Sequence, residues 1–322
     1  IWQKVHVQEV WMPWTEDPQD AEARRIRETQ SRVALLLHES VRRQMTLSGV
    51  DTLRLQSYES LALNALSNEG AMQTLHEGFA GKPKRSFLPT KSHQERTFET
   101  PTLPGVTVHV LGPSRDKDVI RDMDPPVGQS YLRLMESIGS SATDAPDAFS
   151  EGWWVRPEEY FYPNLLLSED DRAKIRRLSA EMEFAVAASL DKAVNGTSLM
   201  LVLQVGSLYL LFPGDAQWGT WQAALNDPES RNLLRRINFY KVGHHGSHNA
   251  TPIDFVERTV GKNFWAMAST TAVSQWPNIP RQPLLDALRL RTSKIARSDQ
   301  ANTAGPAFTV NKDIAIDAII PL

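Results

Sequence analysis

Apolar positions change period several times along the chain, and the changes mark out the elements. Val5, Val7 and Val10 alternate with polar residues, which predicts a strand ending at Pro13. Asp17, Pro18 and Asp20 form a helix start. Val33, Leu36, Leu37 and Val41 then recur at helical spacing within a helix over 21–45. Leu61, Leu63, Leu66 and Leu75 predict a second helix over 58–78. The stretch 81–104, with Pro83, Pro89, Pro101 and Pro104, reads as an irregular connection, and Val106 to Leu111 alternates as a strand ended by Gly112-Pro113. Residues 113–164 hold no steady period and read as an insertion or a long loop, followed by a helix over 169–190. Ser198–Val205 and Ser207–Phe212 are strand-like runs meeting at Gly206, the signature of a hairpin.

Beyond the hairpin, helices are predicted over 218–225 and 229–236, and a strand over 237–242. The tail alternates, with a helix at 252–260, a strand at 263–268, a helix at 282–291, a strand at 293–297 and two last strands near 306–310 and 313–319. Interleaved helices and strands of this kind make an α/β fold. The expected organisation is one domain over 1–322, carrying a helical segment at 18–78 and an insertion at 113–190.

Composition narrows the chemistry. With 322 residues and 41% hydrophobic side chains, a sizeable core is available. Thirty-five basic against 38 acidic residues leave a net charge of −3, which argues against holding nucleic acid by bulk charge but leaves a local basic groove open. Cysteine is absent, so disulfides, thiolate nucleophiles and cysteine zinc sites are excluded and any metal must take His, Asp, Glu or backbone oxygen. No apolar run approaches the roughly 18 residues of a membrane span, and no secretory signal opens the chain, so the expected location is cytoplasmic.

Two segments concentrate functional residue types. Phe212-Pro213-Gly214-Asp215-Ala216 places a carboxylate at the end of a buried strand, where α/β enzymes present ligands to a cleft. The competing role for Asp215 is to cap the helix near Trp218. Lys241-Val242-Gly243-His244-His245-Gly246-Ser247-His248 puts three of the eight histidines within five positions at another strand exit, a cluster suited to metal binding or proton transfer. The spacing between Asp215 and His245 allows both to face one sheet edge.

Asn195-Gly196-Thr197-Ser198-Leu199, Leu210-Leu211-Phe212-Pro213-Gly214-Asp215-Ala216 and Lys241-Val242-Gly243-His244-His245-Gly246-Ser247, in that order, resemble the second half of metallo-β-lactamase-fold hydrolases. The likeness is to the branch related to the DNA-uptake competence-channel proteins, and it covers roughly residues 195–250. The strand end at Leu111-Gly112-Pro113 is similar too. The resemblance implies a four-layer αββα sandwich with one or two divalent ions, Zn²⁺ or Mn²⁺, at one edge of the paired sheets. It makes Asp215 a bridging carboxylate ligand and His245 the favoured second ligand, with His244 as the alternative ligand or as a proton-transfer group. Asn195, Ser198, Ser247 and His248 become rim candidates for substrate binding, against ordinary turn and strand-end hydrogen bonding.

The family's His-x-His-x-Asp-His motif is missing: none of His6, His38, His76, His93, His109, His244, His245 and His248 precedes an Asp-His pair. Either the metal centre is lost, or that half lies outside this numbering. The start at Ile1, inside strand-like sequence, favours the second reading. The expected function is a metal-dependent phosphodiesterase or nuclease acting through a metal-activated water, with a nucleic acid or nucleotide substrate. The alternatives are hydrolysis of a small ester, lactone or amide, or a non-catalytic module docking other domains or subunits of a larger assembly. Weaker features are Lys82-Pro83-Lys84-Arg85 as a phosphate contact, the tryptophans Trp2, Trp11 and Trp14 as a pocket mouth, and Trp153-Trp154 as a stacking patch. Each is weighed against solvation or packing.

Overall fold

In the computed structural model, residues 2–45, 55, 56, 59, 62, 63, 66, 69–90, 96–122, 125–131, 194–247, 249–271, 279–311 and 315–321 are described. Helix 169–190, Trp153-Trp154 and His248 lie outside them. Among the described residues no helix is long and apolar enough to cross a membrane.

The elements run in chain order as β1 (Glu9–Pro13), α1 (Ala21–Met45), α2 (Glu69–Gln73), β2 (Lys84–Leu88), β3 (Thr97–Glu99), β4 (Val106–Gly112), α3 (Lys117–Arg121), β5 (Met200–Val205), β6 (Leu208–Phe212), α4 (Trp218–Asn226), α5 (Pro228–Arg235), β7 (Phe239–Lys241), β8 (Trp265–Ala268), α6 (Gln282–Arg291), β9 (Ile295–Arg297), β10 (Phe308–Asn311) and β11 (Ala315–Ala318). The chain is α/β. Residues 1–28, 69–132 and 192–322 make one compact unit, and 29–68 with 133–191 make another. In the second, Ala34, Leu37 and Val41 of α1 cluster with Leu55 and Ala62.

The first unit is built on a seven-stranded sheet in the order β3-β4-β5-β6-β7-β8-β9. Strands β3 to β6 are mutually antiparallel, and β6 to β9 are parallel. Gly206 turns the β5–β6 hairpin at φ 57°, a left-handed conformation that costs glycine little. Parallel pairing beyond β6 needs crossovers, and α4 with α5, then the Asp254–Thr259 turn, then α6 supply them. Val202, Leu211, Tyr240, Ala266 and Ile295 stand opposite one another across five strands. This row carries the core together with Trp221, Phe255 and Leu288. The rings of Trp221 and Tyr240 meet Phe255 at 4.9 and 5.1 Å. On the other face Leu203, Leu210, Phe239 and Trp265 form a second apolar row, only half-buried.

Local chemistry sets the helix starts. The Asp20 carboxylate accepts from the Glu22 and Ala23 amides at the start of α1, as the sequence predicted. Asp227 accepts from the Ser230 amide and hydroxyl ahead of Pro228, capping α5.

The connection 81–104 is not irregular throughout. It contains β2, parallel to β1 in the register Glu9↔Lys84 to Pro13↔Leu88, and β3, which edges the large sheet. Charged Lys84 and Arg85 mask the strand pattern, and its pairing partner lies far away in sequence. The Arg85 guanidinium donates to the Leu75 carbonyl at 2.8 Å. Trp14 is fully buried under the Arg115 guanidinium, and Trp11 meets Phe98 edge-on, so these two rings are packing groups.

Candidate functional site

Both predicted segments leave the carboxyl ends of neighbouring parallel strands. Asp215 follows β6 and the histidines follow β7, with Leu211 opposite Tyr240. The amide of His244 donates to the Gly214 carbonyl at 3.2 Å, so the two loops touch. The contact depends on small residues. Gly214 takes φ 56°, and a Cβ there would stand 3.1 Å from the Leu199 carbonyl and 3.3 Å from Ser198 Cβ. A Cβ on Gly243 would fall 2.9 Å from the Ala250 carbonyl and 3.3 Å from that of Gly214. Ser198, Gly214, Gly243 and His244 therefore form one rim at the sheet edge.

The histidine turn is backbone-strained. His244 (φ 41°) and His245 (φ 55°) are both left-handed, a conformation that costs a non-glycine residue about 1–3 kcal/mol. Neighbouring bonds hold it. The Ser247 amide donates to the His244 carbonyl at 2.9 Å, and the buried Ser247 hydroxyl donates to Asn249 Oδ1. Ser247 thus serves the turn. Tyr240 is fully buried, its hydroxyl 2.7 Å from the Thr251 hydroxyl and accepting from the Gly243 amide at 3.3 Å. Burial pushes its phenol up to about 12, so it stays neutral.

Asp215 does not cap α4. Gln217 stands at that helix's N-cap without a side-chain bond to the helix amides; its side-chain Nε2 donates instead to the Asp215 carbonyl at 3.2 Å. The Asp215 carboxylate is left partly exposed, and its charge acts on Lys241. Burial pushes the Lys241 ammonium down from its ordinary value, and Asp215 opposes that shift.

His245 is exposed, with Nδ1 2.6 Å from the Ser269 carbonyl. Carbonyl oxygen only accepts, so Nδ1 is the donor, and the neutral tautomer of that kind leaves the Nε2 lone pair for a metal, the arrangement of metal-ligating imidazoles. His244 Nδ1 is buried without a hydrogen-bond partner among the described residues. One carboxylate and two imidazoles fit a borderline divalent ion in kind. They fit as part of a shell only: among the described residues no group of three or more His, Asp or Glu is placed to hold an ion.

Asn195 is half-buried, its carbonyl accepting from the Ser198 amide at 3.0 Å in the turn ahead of β5. The sequence left Lys241, Tyr240 and Ser269 without a role. Lys241 stands inside the histidine motif, but Tyr240 reads as a core residue, and a backbone carbonyl such as that of Ser269 leaves no signal. Compared with protein-family models, characterised proteins and solved structures, the chain shows no match.

Proposed function

We propose that this rim is part of the metal-binding edge of a hydrolase acting on phosphodiesters, with nucleic acid or nucleotides as the substrate class. The observation that carries the reading is the bond from the His244 amide to the Gly214 carbonyl, which joins the Asp215 and His244–His245 loops. In this reading Asp215 and His245 Nε2 hold Zn²⁺ or Mn²⁺, and His244 handles a proton or joins the shell. Bound there, a divalent ion supplies positive charge and lowers the pKa of water. The Ser269 carbonyl fixes the His245 ring, and Tyr240 and Ser247 keep the strained turn in place. The half-covered row of Leu203, Leu210, Phe239 and Trp265 supports the four-layer αββα arrangement, because a second sheet packing there would bury it.

The lack of a three-ligand group among the described residues favours, as the second reading, a non-catalytic module of a larger assembly. The two separate by assay. The complete protein is incubated with Mn²⁺ or Zn²⁺ and single-stranded DNA, duplex DNA, RNA and a generic phosphodiester, beside a lactone and an acyl ester. Phosphodiester turnover that falls by several orders of magnitude in Asp215→Ala and His245→Ala, each factor of ten being about 1.4 kcal/mol of barrier, is the expected result. Turnover of the lactone or ester alone moves the assignment to small-molecule hydrolysis, and no turnover favours the module.

A further inference from the structure

A cavity of about 260 Å³ opens at the same carboxyl-end rim, lined by Phe239 and Lys241 of β7, Met267 of β8, Ser269 beyond it, and Ala315 and Ile316 of β11. Two of these residues tie it to the candidate site. The Ser269 carbonyl accepts the hydrogen bond from His245 Nδ1, and Lys241 is the residue on which the Asp215 charge acts. The lining is otherwise mainly apolar, and Lys241 supplies its single positive charge among the described residues. That ammonium is poorly satisfied: its one hydrogen bond among the described residues, to the Val242 carbonyl, is long at 3.4 Å. An ammonium has three donors, and a half-buried one with spare donors beside an apolar cavity suits an anion that arrives with an apolar group attached.

We propose that this cavity binds an organic phosphate, its apolar moiety lying against Met267 and Ile316 and its phosphate on the Lys241 ammonium. The proposal deepens the hydrolase reading and rests on it for the ligand's role as substrate, whereas the binding itself requires no metal. Phosphate is preferred to carboxylate because its second negative charge strengthens the attraction to a partly desolvated ammonium.

The test is calorimetric titration of the whole chain, stripped of metal with EDTA, using phenyl phosphate, inorganic phosphate, phenol, phenylacetate and thymidine 5′-monophosphate. Phenyl phosphate and the nucleotide should bind more tightly than inorganic phosphate or phenol. Lys241→Met keeps the apolar stem and should weaken phenyl phosphate by about tenfold or more, the worth of a hydrogen bond to a charged group, and should flatten its salt dependence. Ala315→Phe, introduced from an exposed strand position, should block binding by filling the cavity; circular dichroism checks that both variants fold. No binding by the parent chain, or binding unchanged in Lys241→Met, overturns the proposal. Phenylacetate binding as tightly as phenyl phosphate overturns phosphate as the anion. Binding as expected without turnover of any phosphodiester would sink the hydrolase reading alone, and turnover with binding unmoved by Lys241→Met would sink this proposal alone.

Discussion

At the residue scale, the site depends on a turn that its own backbone disfavours. His244 and His245 are both left-handed, and the structure holds them there through Tyr240, whose hydroxyl meets Gly243 and Thr251. Tyr240→Phe leaves the Gly243 amide and the Thr251 hydroxyl short of a partner in a buried place. The expected cost is about 1–3 kcal/mol, read by urea unfolding at neutral pH. The pH dependence has a definite sign. The folded phenol is raised from 10.0 to about 12 by burial, so its contribution to stability is complete below the unfolded value and is lost as pH rises from 10.0 towards about 12. Tyr240→Phe should remove that part of the alkaline loss, and an unchanged alkaline profile would contradict the assignment. None of this was legible beforehand, because Tyr240 reads in sequence as one more apolar strand residue.

Elements followed the sequence where period and partner were local. The β5–β6 hairpin, α1, β8 and α6 stand close to their predicted places because their alternation or helical spacing is local and Gly206 turns the hairpin. Strand β2 is not legible in the sequence because Lys84 and Arg85 open it and its register is set by β1, 75 residues earlier (84 − 9). The Ser230 hydroxyl and amide hold the Asp227 carboxyl below the usual carboxylate range. Its stabilisation is therefore full above the unfolded pKa of about 4 and fades as pH falls through the lower folded value. Asp227→Ala should cost about 1 kcal/mol at pH 7 and nothing at a pH below both values, measured by thermal unfolding across an acid series. An equal loss at both ends would show that Asp227 acts other than through its charge.

For the whole molecule, the sheet order does what the spacing between the two segments only suggested. Asp215 and His245 are 30 residues apart in sequence, yet they leave adjacent parallel strands, β6 and β7, on one rim. That juxtaposition was legible, since two strand ends separated by helical sequence face the same edge of a parallel sheet. The contacts that tune it were not, because the Ser269 carbonyl follows β8 and the cavity beside Lys241 takes its lining from strands distant in sequence, β7, β8, β9 and β11. The hydrolase reading requires that Asp215 and His245 share one ion. It is tested most directly by equilibrium dialysis of the whole chain against Zn²⁺ and Co²⁺, beside Asp215→Ala and His245→Ala. Weak, reversible binding by the parent is expected, since two or three donors hold an ion loosely, with its loss in each variant while both remain folded. Binding retained at the parent's affinity in both variants would contradict it.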